Sequence, residues 1–204
     1  MALMAKLADL KAALDIASDD SGQDAKLTTC LEWAASLIEE HLGRDLFYAA
    51  AADAVAEVFD GDTWQLKLRR FPVTELTSVK LAYDHDFEAA TALVENEDFT
   101  LDARRGLIRK LLVGTRWPDL PRCLEVLVGG GYLDPLAEPI LGVAAFPPKF
   151  QAAAVLQAVE LYKRGDEPGT KVDFNAGITG VGAGTAPPID VLPIVRSLLA
   201  SEKR

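Results

Sequence analysis

Two histidines, two cysteines and a run of glycines are the residues of this 204-residue chain whose types invite chemistry. A zinc site needs Cys or His ligands at short, regular spacing. His41 and His85 fall in different elements, and Cys30 and Cys123 stand alone with no Cys-x-x-Cys, so no such spacing forms. Asp84-His85-Asp86 reads as a solvated turn. Asp19-Asp20 and Glu95-Asn96-Glu97-Asp98 read as charged loops without calcium-loop spacing. The stretch Gly177-Ile178-Thr179-Gly180-Val181-Gly182-Ala183-Gly184 has the composition of a phosphate loop. That chemistry requires an apolar strand before the loop, a helix N-terminus after it and a Gly-Lys-Ser/Thr end. Here Pro187-Pro188 follows and no apolar strand precedes. A nucleophile elbow of the G-x-S-x-G kind is missing too. The chain therefore reads as a protein without catalytic, metal or cofactor residues, not as an enzyme.

What remains for function is surface, and surface is set by charge and by unpartnered apolar stripes. The net charge is −10, which argues against a surface built to grip nucleic-acid phosphates. Arg69-Arg70 and Arg104-Arg105 are local basic pairs in this acidic background; they read as solvated strand ends or as a docking point for an acidic partner. No apolar run reaches the roughly 18 residues needed to cross a bilayer. Met1-Ala2-Leu3-Met4-Ala5-Lys6 lacks the form of a signal peptide. Half the residues are hydrophobic, enough for a core without disulfides, and the two cysteines read as buried hydrophobes.

The elements that must position these surfaces follow from periodicity. Residues 6–16 form a short helix on Leu7, Leu10 and Leu14. Residues 24–42 form the strongest helix, with Leu27, Cys30, Leu31, Ala34, Leu37, Ile38 and Leu42 on one stripe and Gly43 as its left-handed stop. Asp60-Gly61-Asp62 reads as a hairpin turn that pairs 54–59 with 63–68, with Trp64, Leu66 and Leu68 on the dry face. Further strands fall at 76–83, 99–101, 107–111 and 123–128, the middle pair joined by a hairpin-length turn. Pro147-Pro148 opens a helix over 148–164 whose polar face is Gln157, Glu160 and Arg164. Residues 165–188 are rich in Gly, Pro and Thr and read as an extended arm. It leads to an amphipathic segment with Ile189, Leu192, Val195, Leu198 and Leu199 on one side. The fold class is α+β. A helical body of two main helices and a short N-terminal one holds an inserted antiparallel β module and carries a C-terminal arm. The divisions are 1–47, 48–131, 132–165 and 166–204.

The order of several short motifs adds a resemblance. Leu37-Ile38-Glu39-Glu40-His41-Leu42-Gly43-Arg44-Asp45-Leu46 comes first, then Phe71-Pro72-Val73-Thr74-Glu75-Leu76-Thr77-Ser78-Val79. Arg105-Gly106-Leu107-Ile108, Trp117-Pro118 and the strand ending Gly131-Tyr132 follow. Phe146-Pro147-Pro148-Lys149 then precedes a helix ending Tyr162-Lys163-Arg164. Over about residues 5–165 this order resembles the head–tail connector (adaptor) proteins of tailed bacteriophages, in their longer form with a β module between the helices. Within the motifs, Asp45 is placed to hold Arg44 by a charged hydrogen bond.

The resemblance implies a structural virion protein. It would form a ring with copies of itself, commonly twelve, beneath the portal protein. The ring would extend the DNA channel and dock a downstream neck or tail protein, and DNA would pass without sequence-specific binding. No membrane is involved, and the chain would sit in the host cytoplasm before assembly. The family has no known catalytic residues. Other neck or tail rings of the head-closure or tail-terminator type are the alternative, and a small-molecule-binding enzyme is a more distant one. On this reading the channel wall is acidic or mixed, with Glu39, Glu40 and residues 95–98 as candidates. Ile189, Leu192, Val195, Leu198 and Leu199, with Arg69 and Arg70, are the residues assigned to partners. Folding of 189–200 back onto its own domain is the competing outcome.

Overall fold

The computed structural model describes residues 3–50, 53, 56–111, 116–166 and 190–202. It is a mixed α+β protein that divides into two compact units: residues 1–43, 134–137 and 146–204, and residues 44–133 with 138–145.

The first unit is helical. It contains α1 (Leu7–Ala13), α2 (Asp24–Leu42), α3 (Pro148–Asp166) and α4 (Pro193–Leu199). The apolar period of α2 places Leu27, Cys30, Leu31, Ala34, Ala35, Ile38 and Leu42 in the interior. α2 ends where expected, because Gly43 takes φ 66° and its N–H bonds back to Glu39 and Glu40 carbonyls. α3 packs along α2 and presents Phe150, Ala153, Ala154, Ala158 and Leu161 to the core. α1 lies against both. Its Lys11 is almost fully buried, pairs with Asp24 at 2.6 Å, and donates to the Asp20 and Ser18 carbonyls. One ammonium thus ties α1, the 18–20 turn and the start of α2 together, which offsets the cost of burying its charge.

The second unit is the β module. Its strands are β1 (Glu57–Phe59), β2 (Gln65–Lys67), β3 (Val73–Leu81), β4 (Thr91–Ala92), β5 (Phe99–Asp102), β6 (Leu107–Lys110), β7 (Leu124–Gly130), β8 (Tyr132–Leu133) and β9 (Ala144–Ala145). β1-β7-β3-β4 form one antiparallel sheet and β2-β6-β5 another; β8 and β9 make a small parallel pair. Leu66, Phe99 and Ile108 from the three-stranded sheet meet Val79, Leu124, Val126 and Val128 from the four-stranded one in a single apolar cluster. The module is a sandwich of two small sheets.

The β5–β6 hairpin forms as its turn residues indicate. The expected pairing of 54–59 with 63–68 does not form. β1 pairs with β7, and β2 pairs with β6 in the other sheet. Residues 60–64 cross between sheets instead of closing a hairpin. The connection of β4 to β5, residues 93–98, crosses in the same way. β1 and β4 are the two edges of one sheet, and β2 and β5 the two edges of the other. The sandwich therefore has two distinct flanks, one at the 60–64 crossing and one at the 93–98 crossing.

Candidate interaction surfaces

Among the described residues, no group of three or more His, Cys, Asp or Glu is placed to hold a metal. Cys30 and Cys123 are both buried and neither is in a disulfide. Burial pushes the Cys123 thiol pKa up, which keeps it protonated and unreactive. His85 lies in a turn at φ 66°, its Nδ1 3.4 Å from the Arg122 carbonyl. The glycine-rich segment 177–184 lies outside the described residues. What the structure offers instead is a set of surfaces.

The C-terminal helix is the first. α4 lies on α3 with Val191, Val195 and Leu199 buried. Gln157 of α3 anchors its approach, donating to the Asp190 carbonyl and accepting the Leu192 N–H at 2.9 Å. Lys149 pairs with Glu202 past the helix end, and Arg196 pairs with Asp190. That ion pair and the Val191 N–H hold the Asp190 carboxyl below the usual carboxylate range. Of the residues assigned to a partner, Val195 and Leu199 face this chain's own α3 and Leu192 is partly covered. Leu198 is exposed, and Ile189 lies outside the described residues. The outward apolar pair is Ile194 and Leu198, one turn apart, with Leu156 of α3 also exposed. Gln157 is a correction to the expected polar face of α3: it is 1% exposed because α4 covers it.

The basic pairs separate. Arg70 is mostly covered and bonds Asp45 at 3.1 Å. Asp45 therefore holds Arg70, not its neighbour Arg44. Arg44 is buried with its guanidinium 3.9 Å from the Phe71 ring centre, a stacked cation–π contact. Arg69 keeps an exposed side chain while its N–H donates to Glu57 at 2.9 Å. Arg105 bridges Asp102 in the β5–β6 turn. Burial raises the Glu57 carboxyl pKa, and the Arg69 and Arg70 N–H groups oppose this only in part. A carboxyl raised on folding binds its proton more tightly in the folded state. Its ionisation therefore costs stability as pH climbs from the ordinary carboxylate value through the folded one. Glu57→Gln keeps an acceptor for Arg69. The variant should gain stability over the wild type as pH rises from about 4 to 7. Denaturant melts across that range check this; a difference that is flat or of opposite sign contradicts it.

The third surface was missed by periodicity. Alternation puts Trp64 with Leu66 and Leu68 on the dry face. Leu66 and Leu68 are indeed buried, but Trp64 is 72% exposed. It stands in an open depression lined by Asp62, Thr63, Trp64, Gln65, Lys67 and Arg116. Arg116 is tied to Asp62 at 2.8 Å. Register places Arg109 opposite Gln65, on the same outward face as Lys67, and both cations are exposed. An exposed Trp beside a strand of alternating Gln and Lys was the available signal.

No protein-family model matches the sequence, and neither does any curated protein. Solved structures do match in fold. The chain is similar to one in the neck of an empty gene transfer agent (GTA) particle computed with C6 symmetry. Identity is 19%, the match spans 97% of this chain and 88% of that one, and the TM-score is 0.53. Similar values hold for the neck of a native GTA particle computed with C12 symmetry (19% identity, 94% and 86% coverage, TM-score 0.51). A chain of the virion of a native GTA particle matches at 18% identity, with 94% and 87% coverage and a TM-score of 0.54.

Proposed function

We propose that this chain is a structural virion protein of the neck of a tailed phage or phage-like particle. In that role it is a head–tail adaptor that assembles as a ring of copies beneath the portal. The ring extends the DNA channel and offers its far side to a neck or tail protein. The observation that carries this reading is the fold likeness to neck chains of a phage-like particle over nearly the whole length of both partners. The motif order from Leu37 to Arg164 supports it independently. Neck particles with cyclic symmetry make a ring the natural assembly, and cyclic rings need contacts between unlike faces of successive copies. The acidic character of the chain suits a channel through which DNA slides without being pinned. Ile194, Leu198 and Leu156 on unit 1 are surfaces suited to the portal or the next neck protein. The test is the size and composition of the particle formed by the purified chain, alone and mixed with a portal protein.

A further inference from the structure

We infer that the ring contact between copies is a socket-and-knob joint on opposite flanks of the β module, so that each copy inserts residues 94–98 into the Trp64 depression of the next. The inference rests on the ring reading above and names the surfaces that would build it.

The socket is the depression at the 60–64 flank. Its wall is the exposed indole of Trp64, and its charge comes from Lys67, with Arg109 on the adjoining sheet face. Thr63 and Gln65 supply neutral hydrogen-bonding groups. A large, rigid aromatic such as Trp is among the residue types most enriched at interface hot spots. In a protein of net charge −10, a Trp in a cationic setting selects for an apolar residue flanked by carboxylates.

The knob at the other flank has that chemistry. Val94 is half exposed, and Glu95 and Glu97 beside it are exposed. The loop is held rigid by its own bonds. Val94 N–H donates to Asp98 Oδ2 at 2.9 Å, Asp98 N–H donates to the Val94 carbonyl, and Asn96 N–H donates to the Phe99 carbonyl. Asp98 is thereby spent on the loop itself, which leaves Glu95 and Glu97 to face a partner. A preformed loop loses little conformational entropy on docking.

The placement supplies the last link. Socket and knob sit at the two different sheet-to-sheet crossings of one module, beside opposite edge strands. Gln65 pairs with Arg109 and Phe99 with Lys110, so β6 lies between the two patches, and two copies related by a two-fold axis are not required. Head-to-tail pairing of unlike patches propagates and closes when the rotation between copies divides a circle. Residues 95–98 thus belong to the contact between copies and not to the channel wall.

The experiment uses two full-length variants that each block one patch. The socket variant carries Trp64→Ala with Lys67→Glu; the knob variant carries Val94→Lys with Glu97→Lys. All four positions are exposed, and matching circular dichroism and melts confirm folding. Sedimentation is read up to about 1 mM protein. The wild type should self-associate and weaken as salt rises. Each variant alone should associate at least about tenfold more weakly. Their mixture should form heterodimers that grow no further, because each pair retains only one intact joint. Assembly of either variant at wild-type strength overturns the joint and leaves the ring reading standing. A wild type that stays monomeric throughout also overturns the joint, and the ring reading then depends on the portal mixture alone.

Discussion

Phe150→Ala should destabilise the helical unit by about 3–5 kcal/mol, a large fraction of the stability of an ordinary domain. Phe150 has no solvent exposure, and its ring sits 5.7 Å from that of Phe146 in a tilted pair. It stands on the face of α3 that forms the core, where neighbouring positions are alanines too small to refill the space. Leu31→Ala, at a fully buried site of α2, should cost about 2–5 kcal/mol. Leu37→Ala should cost less, because Leu37 is partly exposed. Denaturant melts of the three variants give the ranking. A Phe150→Ala loss below about 1 kcal/mol, or Leu37→Ala exceeding Leu31→Ala, contradicts this core.

Gly61→Ala should cost the β module about 3 kcal/mol or more. A Cβ at residue 61 would lie 1.5 Å from the Pro118 carbonyl oxygen and 2.7 Å from its carbon. Both are backbone atoms, so no rotamer change relieves the clash. Gly61 N–H bonds the Leu120 carbonyl and Asp62 N–H bonds the Trp117 carbonyl, so the 60–64 and 117–123 segments must separate together. Trp117 is buried between them and reports the shift. Expected results are a lowered melting midpoint and a red-shifted Trp117 emission, read in a background carrying Trp33→Phe and Trp64→Phe, which leaves Trp117 as the sole tryptophan. An unchanged midpoint would show that the crossing is looser than the structure has it.

The same glycine explains where sequence reading reached its limit. Asp60-Gly61-Asp62 has the composition of a hairpin turn, and local composition cannot distinguish a turn from a place where a distant backbone passes close. The partner of β1 is β7, more than sixty residues on, and nothing in either strand names the other. Arg44 and Asp45 failed for a related reason. Adjacent charges suggest a pair, but Phe71 stacks on Arg44 and Arg70 takes Asp45. Gln157 kept its place in the helical period while a later segment covered it. Helices, by contrast, were legible because their signals are local: the α2 stripe, the Gly43 stop and the Pro148 start all appear at the boundaries observed. The interaction surfaces were legible only in part. The stripe through Val195 and Leu199 was correctly read as amphipathic, but sequence alone leaves open whose surface it meets. Trp64 broke the alternation that placed it indoors, and an exposed aromatic against the period marks a surface that faces something other than the core.

The assembly proposed for this chain is a neck ring on a portal. Electron microscopy with mass measurement of the purified protein, alone and mixed with the portal protein of the same particle, tests it most directly. Closed rings with one central channel, free or stacked coaxially on the portal with copies in simple proportion to portal subunits, are the expected result. A chain that remains monomeric in both samples and shows no association with the portal would contradict it.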